Sequence, residues 1–80
     1  MKLFYKPQAI KQLKKIPTLE KKKIVRKLEL LSKDPFTGKM LKGELEDLYS
    51  LRAWPYRIIY EVSKNEITVL SISHRQSAYK

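Results

Sequence analysis

Apolar and polar positions follow two different periods along these 80 residues, and each change of period marks a change of element. "KLFY" is a short β-prone run that Pro7 ends; Pro suits the first helical position, where its missing N–H would be unpaired anyway. From Pro7, the residues Ala9, Ile10, Leu13 and Ile16 fall on one helical stripe with Lys11, Lys14 and Lys15 outside it. Pro17 stops that helix, because the residue before a proline disfavours the α region. Thr18 then fits an N-cap, Glu20 favours the positive helix end, and Leu19, Ile24, Val25, Leu28 and Leu31 repeat at helical spacing to about Lys33. The two helices therefore read as an antiparallel pair, basic outside and apolar inside.

"SKDPFTGK" is a loop by its Asp-Pro and Gly. Beyond "MLKGEL" the period falls to two. Tyr49, Leu51 and Ala53 alternate with Ser50, Arg52 and Trp54; Ala53-Trp54-Pro55 turns the chain. Tyr56, Ile58, Tyr60 and Val62 then alternate with Arg57, Ile59 and Glu61. Lys64-Asn65 is a second turn, and Ile67 to Ile72 is a further β-branched run before the tail "SHRQSAYK".

The order is β-α-α-β-β-β, in one domain spanning residues 1–80, of α+β class. Two amphipathic helices need an apolar sheet face to cover them, so the pattern predicts an antiparallel sheet with both helices on one side. The opposite sheet face stays accessible. Arg52 and Arg57 alternate away from the apolar positions on their strands, so they are expected on that open face.

Charge narrows the partner. Eighteen Lys and Arg against eight Asp and Glu give +10, a balance that calls for a polyanion such as nucleic acid, ribosome, an acidic protein or anionic lipid. With no Cys and a single His, neither a disulfide framework nor a zinc site is expected, and no cofactor motif is present. The apolar run in "MKLFYKP" is far too short for a signal peptide, and no stretch approaches the ~20 apolar residues of a membrane span. The expectation is a cytoplasmic protein without a membrane partner.

Arg52, Arg57, His74, Arg75 and Tyr79 are the candidate site, since all lie on the hairpin or at the end of the last strand. Arg offers a two-pronged fork to phosphate oxygens, His titrates near neutrality, and Tyr can stack on a base. RNA carries its own 2′-OH nucleophile. Each residue alone also fits a plainer role: exposed arginines solubilise a sheet or pair with a carboxylate such as Glu61, a lone His is more often structural, and Tyr79 is next to the C-terminus. The lysine-rich helix faces fit a solvated surface that adds nonspecific attraction for RNA.

"GELEDLYSLRAWPYRIIYEV" followed by "ITVLSISHRQSAY" resembles the second half of the RelE/ParE toxin superfamily. Its members read Leu-x-Gly, Tyr-Arg-Leu-Arg, a turn, Tyr-Arg-Ile-Ile-Tyr, then His-Arg and a later Tyr. "FYKPQAIKQLKKIP" and "LSKDPFTGKMLKGEL" are similar to it as well, so the resemblance covers essentially the whole chain. It implies the β-α-α-β-β-β fold and a toxin of a type II toxin–antitoxin pair. RelE-like members are metal-independent ribonucleases that cut mRNA in the ribosomal A site; ParE-like members inhibit DNA gyrase. The resemblance implies mRNA and the ribosome as partners, with a cognate acidic antitoxin that can assemble with the toxin as a heterotetramer. It also implies roles: Arg57 at the scissile phosphate, Arg75 near the leaving group, His74 as acid or base, Tyr79 stacked on substrate, and Arg52 as the second arginine of Tyr-Arg-Leu-Arg. Ser50 stands where that motif has its first arginine, and Leu48 and Ser50 stand where some members have a lysine pair. Met40 stands where some relatives have a glutamate base. The base is then His74 first, with Lys42 and Glu44 as alternatives. A gyrase inhibitor and a catalytically inactive RNA or ribosome binder are the other readings.

Overall fold

The computed structural model describes residues 2–40 and 48–74. Strand β1 (Lys2–Tyr5) leads into helix α1 (Pro7–Lys15) and helix α2 (Thr18–Lys33). A two-residue strand β2 (Lys39–Met40) follows, then β3 (Leu48–Ala53), β4 (Tyr56–Ser63) and β5 (Glu66–His74). The five strands form one sheet in the order β1-β5-β4-β3-β2.

The α+β class and the two helices hold, and the sheet is mixed where the sequence pattern suggested antiparallel pairing alone. β3, β4 and β5 are antiparallel neighbours, but β1 runs parallel to β5, with Leu3 beside Ile67 and Tyr5 beside Val69. A parallel pair needs a long crossover, and the two helices supply it. β2, two residues long, is too short to show alternation in the sequence; it takes Lys39 from the end of the loop segment and Met40 after it, and pairs Lys39 with Ser50 and Met40 with Tyr49.

One apolar cluster joins Ala9, Ile16, Ile24, Leu28 and Leu31 of the helical segment to Leu51, Ala53, Ile58, Tyr60, Ile67, Val69 and Ile72 of the sheet. α1 lies over β5 and β1, and α2 approaches β3. Burying an Ile or Leu side chain completely contributes about 1.5–3 kcal/mol, so this row of fully buried aliphatics is what holds the helices down. The helical stripes differ from the sequence expectation at their margins. Ile10, Leu19 and Val25 are exposed. On α1 the inner position beside Leu13 belongs to Gln12, because positions i, i+3, i+4 and i+7 from Ala9 share a face and Ile10 is a quarter-turn away. Thr18 begins α2 with Pro17 as its cap residue, and no side chain caps that end.

Gln12 has a definite task. The register of β4 against β5 slips by one residue between Ile59 and Tyr60: Ile59 pairs with Ser71 and Tyr60 with Val69, so Leu70 is the extra residue of a β-bulge. A bulge displaces ladder groups. Close by, the Ile72 N–H donates to Gln12 Oε1 at 2.7 Å, which satisfies a backbone donor beneath a helix.

Two turns complete the frame. Trp54 and Pro55, joined by a cis peptide, connect β3 to β4. Lys64 and Asn65 connect β4 to β5 with φ of 48° and 64°, the left-handed conformation at both central residues that a two-residue hairpin of type I′ requires.

Candidate functional site

Strand alternation divides β3, β4 and β5 cleanly. Every fully buried strand residue points toward the helices, so the intervening residues form the opposite, uncovered face. Register then orders that face into rows. At the end beside the Trp54-Pro55 turn, Arg52 pairs with Arg57 and Arg57 with Ser73. The next row runs Lys39, Ser50, Ile59, Ser71. The row after that contains Leu48, Glu61, Thr68 and Phe4.

The expected placement of Arg52 and Arg57 on the open face is what the structure has, and it sets them directly opposite one another. Arg52 is exposed and Arg57 half-buried. Cross-strand partners have Cβ atoms about 4.5–5.5 Å apart, and like charges in that relation destabilise a sheet. Glu61 stands four residues along β4 from Arg57, roughly 13 Å at strand rise.

His74 is a correction. It was expected to converge with the two arginines, yet it pairs with Tyr56 and therefore lies on the helix-side face. The cause is the bulge at Leu70: one extra residue inverts the alternation for the rest of β5, so Ile72 and His74 join the face of Ile67 and Val69. There the imidazole meets the Tyr56 ring edge to face, with centroids 5.4 Å apart and planes at 87°. Arg75 and Tyr79, with Lys42 and Glu44, lie outside the described residues.

Sequence reasoning missed Lys39. Strand β2 carries it to the edge of the sheet, opposite Ser50, in the row next to the arginines. The signal was absent from the hydrophobic pattern, but the Asp-Pro and Gly of the loop before it could have suggested a fixed turn. Asp34 organises that turn: its carboxylate accepts the Phe36 N–H at 3.2 Å, and its carbonyl accepts the Thr37 hydroxyl at 2.9 Å. The fully buried Tyr60 holds the turn from below, donating its hydroxyl to the Pro35 carbonyl at 2.9 Å and accepting the Gly38 N–H at 3.0 Å. Tyr49 stacks on Tyr60 at 5.3 Å, and Phe36 closes on Tyr49 edge to face at 5.8 Å. Burial raises the Tyr60 hydroxyl above its ordinary pKa, against a smaller lowering from the Gly38 N–H.

The open face is thus a shallow, hydroxyl-bearing surface with three cations at one end. It suits phosphate oxygens. Among the described residues no group of three or more His, Asp or Glu could hold a metal ion, and no helix is long and apolar enough to cross a membrane.

The ParE toxin model of type II toxin–antitoxin systems matches residues 3–79 of the 80. The chain belongs to the ParE toxin family. Its fold is that of several solved toxins. The RelBE2 toxin–antitoxin complex from Mycobacterium tuberculosis matches with a TM-score of 0.82 at 27% identity, covering 92% of this chain and 96% of that one. The YoeB dimer from Staphylococcus aureus matches with a TM-score of 0.76 at 25% identity, covering 92% and 95%. The intact RelBE complex of E. coli matches with a TM-score of 0.77 at 24% identity over 91% and 94%, which speaks to the fold. A search of curated proteins finds no match. The chain is therefore a type II toxin in a family whose solved relatives include complexes with antitoxins, as the RelE/ParE resemblance implied.

Proposed function

We propose that this ParE-family toxin is a metal-independent endoribonuclease that cleaves mRNA, at the ribosomal A site in the cytoplasm, and that an acidic antitoxin neutralises it. The observation that carries the reading is the Arg52–Arg57 cross-strand pair. Two guanidinium groups set opposite each other concentrate positive charge on one row of the open face, and a phosphorane between them is attracted to both. In this reading the RNA 2′-OH attacks the adjacent phosphorus, its P–O5′ bond breaks, and a 2′,3′-cyclic phosphate and a 5′-hydroxyl result. Arg57 and Arg52 stabilise the charge on the non-bridging oxygens, Lys39 holds a neighbouring phosphate, Arg75 assists the leaving oxygen, and Tyr79 stacks on a base. With His74 on the other face, the proton acceptor falls to Lys42 or Glu44.

The family match also supports a gyrase inhibitor that acts by protein binding, without chemistry. One experiment separates the two: primer extension on mRNA in a translation reaction, run beside a gyrase supercoiling assay with the same preparation. Discrete new 5′-hydroxyl ends with unimpaired supercoiling support the nuclease. Blocked supercoiling with intact mRNA overturns it.

A further inference from the structure

The β3–β4 turn does more than end the arginine row. Trp54, the single tryptophan of the chain, is 57% exposed there and lines a hollow against helix α2. The hollow measures about 310 Å³, and Lys23, Arg26, Lys27, Leu30 and Ala53 complete its lining. Positions 23, 26, 27 and 30 follow the i, i+3, i+4, i+7 spacing that puts residues on one helical face. Three of the four are cations, while Leu30, Ala53 and Trp54 supply the apolar part of the lining. Lys23 has the Glu20 carboxylate at 3.9 Å; among the described residues Arg26 and Lys27 have no carboxylate within ion-pair distance.

We infer that this hollow seats one nucleotide of single-stranded RNA beside the nucleotide held at Arg52 and Arg57, with its base on the Trp54 indole and its phosphate against Arg26 and Lys27; the inference rests on the RNA reading above. Size, chemistry and continuity select that occupant. The volume lies at the low end of the roughly 300–1,000 Å³ of small-ligand sites, which suits one nucleotide. An exposed aromatic ring beside cations is the combination that binds single strands, with stacking for the base and charge for the backbone. Trp54 follows Arg52 by two residues, at most about 7 Å of extended chain, a step that adjoining nucleotides can span. A strand bound at the arginine row therefore turns over the end of the sheet into the hollow. A second copy of this chain would bring like charge to like. An acidic peptide would satisfy the cations but leave the indole face without a stacking partner.

The indole makes the test direct, because a base stacked on the chain's only tryptophan quenches its fluorescence. The full chain is titrated with a 12-nucleotide single-stranded RNA carrying 2′-O-methyl riboses, which binds without being cut. Saturable quenching is expected. By anisotropy of the labelled RNA, Trp54→Ala is expected to weaken binding by about 5- to 100-fold, and Trp54→Phe, which keeps a ring, by much less. Arg26→Gln with Lys27→Gln is expected to reduce the slope of log affinity against log salt by about 1.4, the share of two single-strand phosphate contacts. Thermal melts of all three variants are expected to match wild type, since the replaced side chains lie at the surface. In a translation reaction Trp54→Ala is expected to cut mRNA slowly when mRNA is limiting and at the wild-type rate when it is saturating, because the stacked base contributes binding and not chemistry. Absence of quenching up to millimolar RNA, or wild-type affinity in Trp54→Ala, overturns the proposal, and cleavage by the wild-type chain then leaves the nuclease reading standing. Quenching by RNA without any mRNA cleavage keeps the seat and removes the nuclease. An oligoglutamate of equal charge that binds as tightly and loses as much affinity in Trp54→Ala makes the hollow a seat for acidic protein, and the proposal falls.

Discussion

Replacing Tyr60 by Phe removes one oxygen and keeps the ring that Tyr49 stacks upon. That oxygen makes two hydrogen bonds to the turn that precedes β2, one to the Pro35 carbonyl and one from the Gly38 N–H. Leaving a buried polar group unpaired costs about 1–3 kcal/mol. Pro35 and Gly38 are half-buried, so water can reach them in part, and the low end applies to each. The sum is about 2 kcal/mol. For a domain of this size each kcal/mol moves the melting temperature by about 4–8 °C, so Tyr60→Phe should melt about 8–16 °C below wild type by circular dichroism. Gly38→Ala reports on the same clamp from the other side. A methyl there would stand 2.5 Å from the Tyr60 hydroxyl and 3.0 Å from the Ser50 carbonyl. Overpacking of this kind costs about 1–3 kcal/mol, and part of it vanishes when the hydroxyl is gone, so the two changes should be less than additive. A melt within about 3 °C of wild type for Tyr60→Phe, or full additivity with Gly38→Ala, would refute the clamp.

Further outcomes follow from the site and the turns. Arg57→Ala should leave the melting temperature within a few degrees of wild type, since it relieves the repulsion with Arg52, while mRNA cleavage falls by about 10²–10³-fold; a large drop in stability with activity per folded molecule retained would make Arg57 structural. Cleavage should persist in EDTA with ribosomes stabilised by polyamines, as followed by primer extension, and loss of activity restored by a divalent ion bound to the protein would contradict the mechanism. Lys64→Gly should raise stability by about 0.5–1 kcal/mol in denaturant melts, because glycine adopts the positive φ at that turn position without strain. Stability should fall as pH rises above 10, the ordinary tyrosine value: burial raises Tyr60 and Tyr5 in the folded state, so the unfolded chain loses its protons first, and Tyr60→Phe should make that alkaline decline shallower in melts from pH 9 to 11.

The two periods in the sequence carried most of the fold. Ala9, Leu13 and Ile16 marked one buried stripe, Ile24, Leu28 and Leu31 another, and Leu51, Ile58 and Tyr60 fixed which face of the sheet they cover. Arg52 and Arg57 followed, because a residue's face on a strand is set by parity alone. Three features were beyond that reasoning. The parallel partner of β1 depends on a crossover that no local pattern encodes. β2 is too short to alternate, and its position comes from the hydrogen bonds that Asp34 and Tyr60 make to the turn before it. The bulge at Leu70 leaves no hydrophobic signature, since Val69, Leu70 and Ile72 read as one β-branched and aliphatic run whichever residue is extra.

The bulge matters most for chemistry. Parity counted from Ile67 and Val69 without the bulge puts His74 on the open face with Thr68; counted with it, His74 sits against Tyr56, and Ser73 takes the open-face place beside Arg57. What the described part of the open face offers to a reacting phosphate is therefore charge and hydroxyls without an imidazole. In the proposed nuclease such a face would act chiefly by stabilising the charge that develops on phosphate oxygens, a contribution that is large when the donors are fixed before the substrate arrives. The backbone that carries Arg52 and Arg57 is held by its cross-strand partners, and the strand between Tyr56 and Tyr60 is pinned by the fully buried Ile58 and Tyr60.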